Sequence, residues 1–300
     1  MKIGILSYKP FKKQATEEER KLKHAAEALS HKAQIFRAER CQLVYDGRGE
    51  RVFYNQKRFP QIDVLIPRAS IINNVDIRLS LVKQFQLMGI PVVNDYMAIA
   101  RAKNKLRTMQ ILHSMGIPTP RTVVIDNFAG LDMAIDKVGG APVILKDPFG
   151  TYGNGVVIAE SKRGARSMLD AMWKGNVRSI MVQEYIGESE GRDTRVFVVG
   201  GEVVASMERC AQAEEFRSNV ELGGEARAVT VSDKYAQIAI ASANALNLDV
   251  AGVDIIETKN GPAVLEVNGN PGFKTLEKVT EIDVATSIIK LAERIVVAEI

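Results

Sequence analysis

Apolar positions recur along the chain with both strand and helix periods, and the two alternate. The run Lys2 to Ser7 is short, apolar and β-branched, which predicts a strand. Thr16-Glu17-Glu18-Glu19 has the Thr-x-x-Glu spacing of a capping box, in which hydroxyl and carboxylate each satisfy a backbone amide, so a helix opens there. Leu22, Ala25, Ala26, Leu29 and Ala33 follow at helical spacing and give that helix one buried face. Asp63 to Ile66, stopped by Pro67, predicts a second strand, Asn74 to Met88 closed by Gly89 a second helix, and Ile90 to Asn94 a third strand. This alternation predicts a parallel sheet covered by helices. Its first strand-to-helix connection, Ser7-Tyr8-Lys9-Pro10-Phe11, holds no glycine, so a dinucleotide site is not expected there.

Beyond this lobe the pattern changes. A helix from Asn104 to Met115, stopped by Gly116 and Pro118, leads into strands at Thr122 to Ile125, Val143 to Lys146, Val156 to Ala159 and Ile180 to Tyr185. Helices at Leu131 to Val138 and near Ser167 to Trp173 are interleaved with them. After Gly191 two antiparallel hairpins are expected: Arg195 to Val199 with Glu202 to Met207, and Val253 to Glu257 with Ala263 to Val267. A helix from Lys234 to Leu246 separates them, and another from Val284 to Val297 follows, expected to pack on its own sheet. The fold class is therefore α/β, with α+β lobes after a parallel-sheet lobe.

Composition narrows the function classes. At 46% hydrophobic and 25% charged residues the chain can bury a real core, and its net charge of +4 is spread among interleaved signs, so nucleic acid is not implied. The apolar start is too short for a signal-peptide core, and no segment approaches the length of a membrane span, so no membrane role is expected. Cys41 and Cys210 lie far apart, which fits a reducing cytoplasm and gives no zinc or redox motif. His24, His31 and His113 have no metal-ligand spacing and are expected on helix surfaces.

Four constellations can carry chemistry. In Lys146-Asp147-Pro148-Phe149-Gly150-Thr151-Tyr152-Gly153-Asn154-Gly155, three glycines within six residues let backbone amides face an anion, and Lys146 adds a fixed positive charge. It is not a Walker loop, because a strand and not a helix follows, and a purely structural turn is the alternative. Asp254 on one strand of a hairpin and Glu266 and Asn268 on the next can share a face. Two carboxylates and an amide oxygen form a hard-oxygen set suited to magnesium, the alternative being a solvent-facing stripe; Val253, Ile255, Leu265 and Val267 are expected on the opposite face. Arg192-Asp193-Thr194-Arg195, Arg209 and Phe216-Arg217-Ser218-Asn219 supply guanidinium forks suited to phosphate, or ordinary strand-end surface. Gln183-Glu184-Tyr185-Ile186 ends a strand where the backbone can meet an adenine edge, or where a sheet simply ends.

In chain order these residues, with Lys105 ahead of them, resemble the ATP-grasp superfamily, and within it the RimK-type glutamate ligases, which add glutamate to the C-terminus of a small-subunit ribosomal protein. Ala98 to Arg107, Val138 to Pro142, Val182 to Ile186, Phe216 to Asn219 and Val250 to Ile255 are similar to that family almost residue for residue. The resemblance implies an ATP-grasp fold of three lobes: a pre-ATP-grasp lobe at 1–97, a central lobe at 98–187 and a C-terminal lobe at 188–300, with ATP between the last two. It implies that Lys105 and Lys146 contact phosphates, that Glu184, Tyr185 and Ile186 form the adenine edge, and that Asp254, Glu266 and Asn268 hold magnesium, for which manganese can substitute. Gly150, Thr151, Gly153, Gly155, Asp193 and Arg209 complete the expected nucleotide set, and Arg195, Arg217 and Asn219 the expected catalytic set.

The implied reaction is phosphorylation of a carboxylate by ATP, followed by displacement of phosphate by an amine, with the Gly150 to Gly155 loop closing as a lid. The implied partners are L-glutamate and a carboxylate-bearing acceptor, such as a protein C-terminus, a peptide or a glutamyl chain; a homo-oligomer is compatible with this reading. Departures from the family pattern are Gln212, where the family commonly carries lysine, Asp147-Pro148-Phe149 and Tyr152 in the glycine loop, Asn270 in place of a small serine-like residue, and Ala69 to Asn74 in the N-terminal lobe, so the acceptor side is expected to have changed. A coenzyme or amino-group carrier as acceptor is a second reading. A non-catalytic nucleotide-binding module, favoured only by Gln212, is a third.

Overall fold

The computed structural model describes residues 1–10, 12–47, 49–69, 71, 74–150, 155–174, 179–211 and 224–298. Among them, β1 (Lys2–Ser7) lies between β2 (Lys32–Arg37) and β6 (Val64–Arg68) in a parallel sheet. Ser7 is the register partner of both Arg37 and Arg68, so three strands end together on one edge. The capping box forms as expected: Thr16 Oγ1 accepts from the Glu19 amide at 3.2 Å, and Glu19 Oε2 from the Thr16 amide at 2.9 Å, opening α1 (Glu17–Ala28). The helix stops before Ala33, which belongs to β2. The sheet's third strand is therefore β2; Ile90 to Asn94 contributes only a bridge between Val92 and Leu65. The spacing of Ala33 fits a helix by coincidence, and the paired backbone of β1 decides the matter.

An antiparallel meander, β3 (Cys41–Tyr45), β4 (Glu50–Tyr54) and β5 (Lys57–Arg58), intervenes before β6. Then come α2 (Val75–Leu87), α3 (Tyr96–Ala102) and α4 (Lys105–Ser114). His31 is not on a helix surface: it follows α1, its Nε2 2.7 Å from Glu293 and its Nδ1 3.3 Å from the Met1 amine.

A four-stranded antiparallel sheet follows, in the order β7 (Thr122–Ile125), β10 (Ile180–Glu184), β8 (Val143–Lys146), β9 (Val156–Ala159). Two helices, α5 (Leu131–Val138) and α6 (Lys162–Lys174), cover one face with Leu131, Ile135, Val138 and Leu169. The last sheet runs β13 (Glu225–Ala228), β12 (Glu202–Cys210), β11 (Arg192–Val199), β14 (Val250–Thr258), β15 (Gly261–Asn268). Val196, Val198, Ala251, Val253 and Ile255 point one way, onto α7 (Asp233–Ala245). Phe197, Val199 and Val250 point the other way and share a core with Ile3, Ile5, Val64 and Ile66 of the parallel sheet. Helices α8 (Lys274–Thr280) and α9 (Val284–Ala298) complete that core, α9 through Val284, Ile288, Ile289 and Ala292.

Period-two alternation makes the second face change character along its length. On β11 the residues sharing a side run Val199, Phe197, Arg195, Asp193, and on β14 they run Val250, Gly252, Asp254, Ile256. The apolar half is core and the charged half is a cleft floor. No helix among the described residues is long and apolar enough to cross a membrane.

Candidate active site

The cleft between the four-stranded sheet, the five-stranded sheet and the end of the parallel sheet encloses about 730 Å3, in the range of pockets that hold a nucleotide-sized ligand. Among the candidates from the sequence it is lined by Lys105, Lys146, Gly150, Glu184, Tyr185, Ile186, Asp193, Arg195, Arg209, Asp254, Glu266 and Asn268. Gly155 closes the glycine loop: its carbonyl accepts from the Asp147 amide at 2.8 Å, and at φ +76° a Cβ there would come within 2.9 Å of Asp147 Cβ. Thr151, Gly153, Gln212, Arg217 and Asn219 lie outside the described residues.

Strand register assembles the charged floor. Arg195 pairs across β11 and β14 with Asp254, Asp193 pairs with Arg209, and Asp254 pairs with Glu266. Arg195 Nε and Nη2 donate to both Asp254 oxygens at 2.7 Å, and Arg209 Nε and Nη2 donate to both Asp193 oxygens at 2.7 Å. Arg209 Nη2 also lies 2.9 Å from Asp254. Burial opposes the Asp254 charge, but the two guanidiniums outweigh it and hold the carboxyl below the usual carboxylate range. Burial likewise opposes charge on Arg209, and Asp254 with Asp193 overcomes it. The floor is thus an alternating chain of guanidinium and carboxylate groups, in which Asp254 and Arg209 are held in their charged forms.

The lysines stand above it. Lys146, at the end of β8, donates to Gln183 Oε1 at 2.5 Å, and Gln183 Nε2 donates to Thr122 Oγ1 at 2.9 Å. Lys105, at the N-terminus of α4, donates to the Gly150 carbonyl and lies 3.3 Å from Glu266. Burial lowers the pKa of Lys103, which lines the same wall.

At the other end, the Glu184 carboxylate is taken by Arg121, with Nε at 2.9 Å and Nη2 at 2.7 Å, and this bonding to Arg121 lowers its pKa. What Glu184 can offer a base is therefore its backbone. Ile186 and Ile256 form an apolar patch with Leu265. Leu265 was expected on the opposite face; a register shift between Asp254 and Ile255 leaves it as the extra residue of a bulge, on the cleft side. The contact of Gln183 with Lys146, the pairing of Arg121 with Glu184, the place of Ile256 and the bulge are not legible in the sequence, because each depends on how the strands pair.

Asp254, Glu266 and Asn268 fit a divalent cation by donor chemistry, supplying oxygen from two register-paired carboxylates and one amide. Asn268 Oδ1 accepts one hydrogen bond, from the Asn270 amide at 3.0 Å. Among the described residues no group of three or more His, Cys, Asp or Glu could hold a metal, so the amide oxygen is needed to complete the set.

The family model for the RimK PreATP-grasp domain matches residues 1–99, and that for the RimK-like ATP-grasp domain matches residues 102–292. The chain belongs to the RimK-like ATP-grasp family. A protein of Coxiella burnetii named probable alpha-L-glutamate ligase is 40% identical over 98% of this chain and 96% of its own length. Probable alpha-L-glutamate ligase 1 of Shewanella denitrificans is 40% identical over 98% of each chain. In fold, the RimK domain ATP-grasp protein of Sphaerobacter thermophilus matches with a TM-score of 0.75 at 22% identity, over 97% of this chain and 99% of that one. D-alanine–D-alanine ligase of Bacillus anthracis matches with a TM-score of 0.67 at 16% identity, over 100% and 98%. As an ATP-grasp protein of the RimK type the chain is a carboxylate-amine ligase, with ATP and a divalent metal as its cofactors.

Proposed function

We propose that this RimK-like ligase adds L-glutamate, singly or as a chain, to the C-terminal carboxylate of a protein or peptide through an acyl phosphate. The observation that carries the reading is a continuous cleft joining an apolar, strand-edge end at Ile186 to a charged floor at Arg195 and Asp254, within a chain 40% identical to probable alpha-L-glutamate ligases. In this reading the adenine lies against Ile186, Ile256 and Leu265, with the backbone of Glu184 to Ile186 along its edge. Lys105 and Lys146 take the phosphates. Arg195 and Asn219 orient the reacting carboxylate, Arg217 neutralises charge on the transferring phosphoryl group, and Asp193 with Arg209 completes the nucleotide set. The lobes are residues 1–97, 98–187 and 188–300.

A carboxylate oxygen attacks the γ-phosphorus and ADP leaves; the unprotonated amine of glutamate then attacks the acyl carbon and inorganic phosphate leaves. Positioning and charge neutralisation supply the acceleration. Magnesium or manganese held by Asp254, Glu266 and Asn268 would supply further neutralisation of phosphate charge. Lys105 and the Glu184 to Ile186 strand edge bound the nucleotide, and the glycine loop screens the acyl phosphate from water.

The test is phosphate release from ATP and magnesium, with glutamate alone and with glutamate paired to candidate acceptor peptides, followed by mass spectrometry. Glutamate-dependent release with an acceptor heavier by whole glutamyl residues is expected. Release that ignores glutamate, or an acceptor whose mass does not change, overturns it.

A further inference from the structure

Most cations that line the cleft are already held: Lys105 by Glu266, Lys146 by Gln183, Arg195 by Asp254, Arg209 by Asp193 and Lys274 by Glu17. Lys103 lines the same cleft and is half-buried, yet among the described residues its ammonium has no hydrogen-bond or ion-pair partner. A charge taken from water without a partner is costly, so this ammonium gains from any anion that enters beside it. Its backbone is fixed. Lys103 follows the end of α3 with its amide on the Ile99 carbonyl at 3.0 Å, and the next residue, Asn104, caps α4 by accepting from the Leu106 and Arg107 amides at 3.0 and 3.1 Å.

The surroundings of Lys103 are those of the phosphate lysines. Burial opposes its charge, Glu266 favours it and Lys105 opposes it, and the same three influences in the same order act on Lys146. Lys105 itself lies 3.3 Å from Glu266. Three lysines thus share one carboxylate, a surplus of positive charge that suits a polyphosphate. Their order along the cleft follows from their neighbours. Lys146 is tied to Gln183, one residue before the adenine edge, and so meets the phosphates nearest the base. Lys103 stands at the other end: a Cβ on Gly269, one residue past Asn268, would lie 3.2 Å from the Cβ of Ala102, one residue before Lys103.

We propose that Lys103 is a catalytic residue that holds the γ-phosphoryl group of ATP while that group passes to the carboxylate. The inference rests on the nucleotide placement of the ligase reading and names the residue for its terminal phosphate. In the step concerned, a bond forms between a carboxylate oxygen and phosphorus as the bond from phosphorus to the ADP oxygen breaks, and no proton moves. Lys103 keeps its protons and donates hydrogen bonds to the phosphoryl oxygens before and after transfer. An ammonium on a flexible stem, with no partner to leave, can follow a group that moves, whereas a guanidinium with both arms on a carboxylate is fixed in place.

The experiment uses the full chain with Lys103→Met, which keeps an unbranched stem and removes the charge, and Lys103→Arg, which keeps the charge. Calorimetry at saturating magnesium measures Kd for ADP and for a non-hydrolysable ATP analogue, two ligands that differ at the γ position. Lys103→Met is expected to bind ADP within about twofold of wild type and the analogue about tenfold more weakly, with kcat for phosphate release lower by about tenfold or more. Lys103→Arg should bind both ligands as wild type does. An equal loss for both ligands overturns the assignment to the γ position, and no change in either overturns the contact. A raised KM for glutamate with analogue affinity intact places a carboxylate on Lys103 and also overturns the proposal. Should Lys103→Met fail to fold, judged by its melting curve, the same comparison is made with Lys103→Gln, where an unchanged ratio of the two affinities overturns it. Failure of the ligase reading shows separately, as wild-type phosphate release that ignores glutamate while Lys103→Met still loses the analogue and keeps ADP.

Discussion

Taking the Lys146 ammonium out of bulk water pushes its pKa down to about 8; Glu266 resists the fall and Lys105 adds to it. Without nucleotide, Lys146 therefore loses its proton as pH rises through about 8. A polyphosphate beside it favours the charged form, so binding raises its pKa and takes up a proton above that pH. Nucleotide affinity is expected to fall as pH climbs from about 8 towards 10, by a slope approaching tenfold per pH unit at most. Calorimetric titration of ADP from pH 7 to 9.5 checks this, and Lys146→Gln should bind more weakly at pH 7 and lose that slope. Equal slopes in both proteins would remove Lys146 from the phosphate site. The lysine itself is legible in sequence as the last residue of a strand before a glycine loop; its depressed pKa is not, because its burial exists only once β8 is paired with β10 and the cleft walls are assembled around it.

Asn94 shows what elements contribute beyond their own side chains. It follows the parallel sheet, yet its Nδ2 donates to the carbonyls of Val250 at 2.7 Å and Gly269 at 2.8 Å, and its Oδ1 accepts from the Val250 amide at 2.7 Å. One buried amide thereby clamps the start of β14 to the turn after Asn268. Asn94→Ala leaves three backbone groups without these bonds, each costing roughly 1–3 kcal/mol when buried. The denaturation midpoint is expected to drop clearly, and more so than for a surface alanine such as Lys57→Ala; equal midpoints would show that the clamp carries no load. Strands β11 and β12, α5, α7 and α9 were readable from period and punctuation. The meander β3 to β5 and strand β2 were not, because Cys41 to Arg58 alternates weakly and Ala33 also suits a helix. The site was legible as residues at strand ends, while the bulge at Leu265 and the pairing of Arg195 with Asp254 exist only once register is fixed.

At the scale of the molecule, the distribution of core decides what can move. Ile3, Ile5, Val64 and Ile66 of the parallel sheet pack in one core with Phe197, Val199, Val250 and Ile288, so the first and last sheets are welded together. Among the described residues, the core beneath the four-stranded sheet draws only on residues between Val123 and Val182. A unit with its own core and a polar cleft between it and its neighbour can hinge at little cost in buried apolar surface. Nucleotide gripped by Lys146 and Ile186 on one side and Ile256 and Leu265 on the other would then draw the two bodies together. With Cys41 and Cys210 replaced by serine, spin labels at Lys137→Cys and Lys290→Cys should approach each other when a non-hydrolysable ATP analogue and magnesium are added. Labels at Lys57→Cys and Lys290→Cys, both on the welded body, should keep their distance. No movement in the first pair would mean that the cleft admits its nucleotide without a hinge, and movement of the second would mean that the hinge lies within the body formed by the first and last sheets.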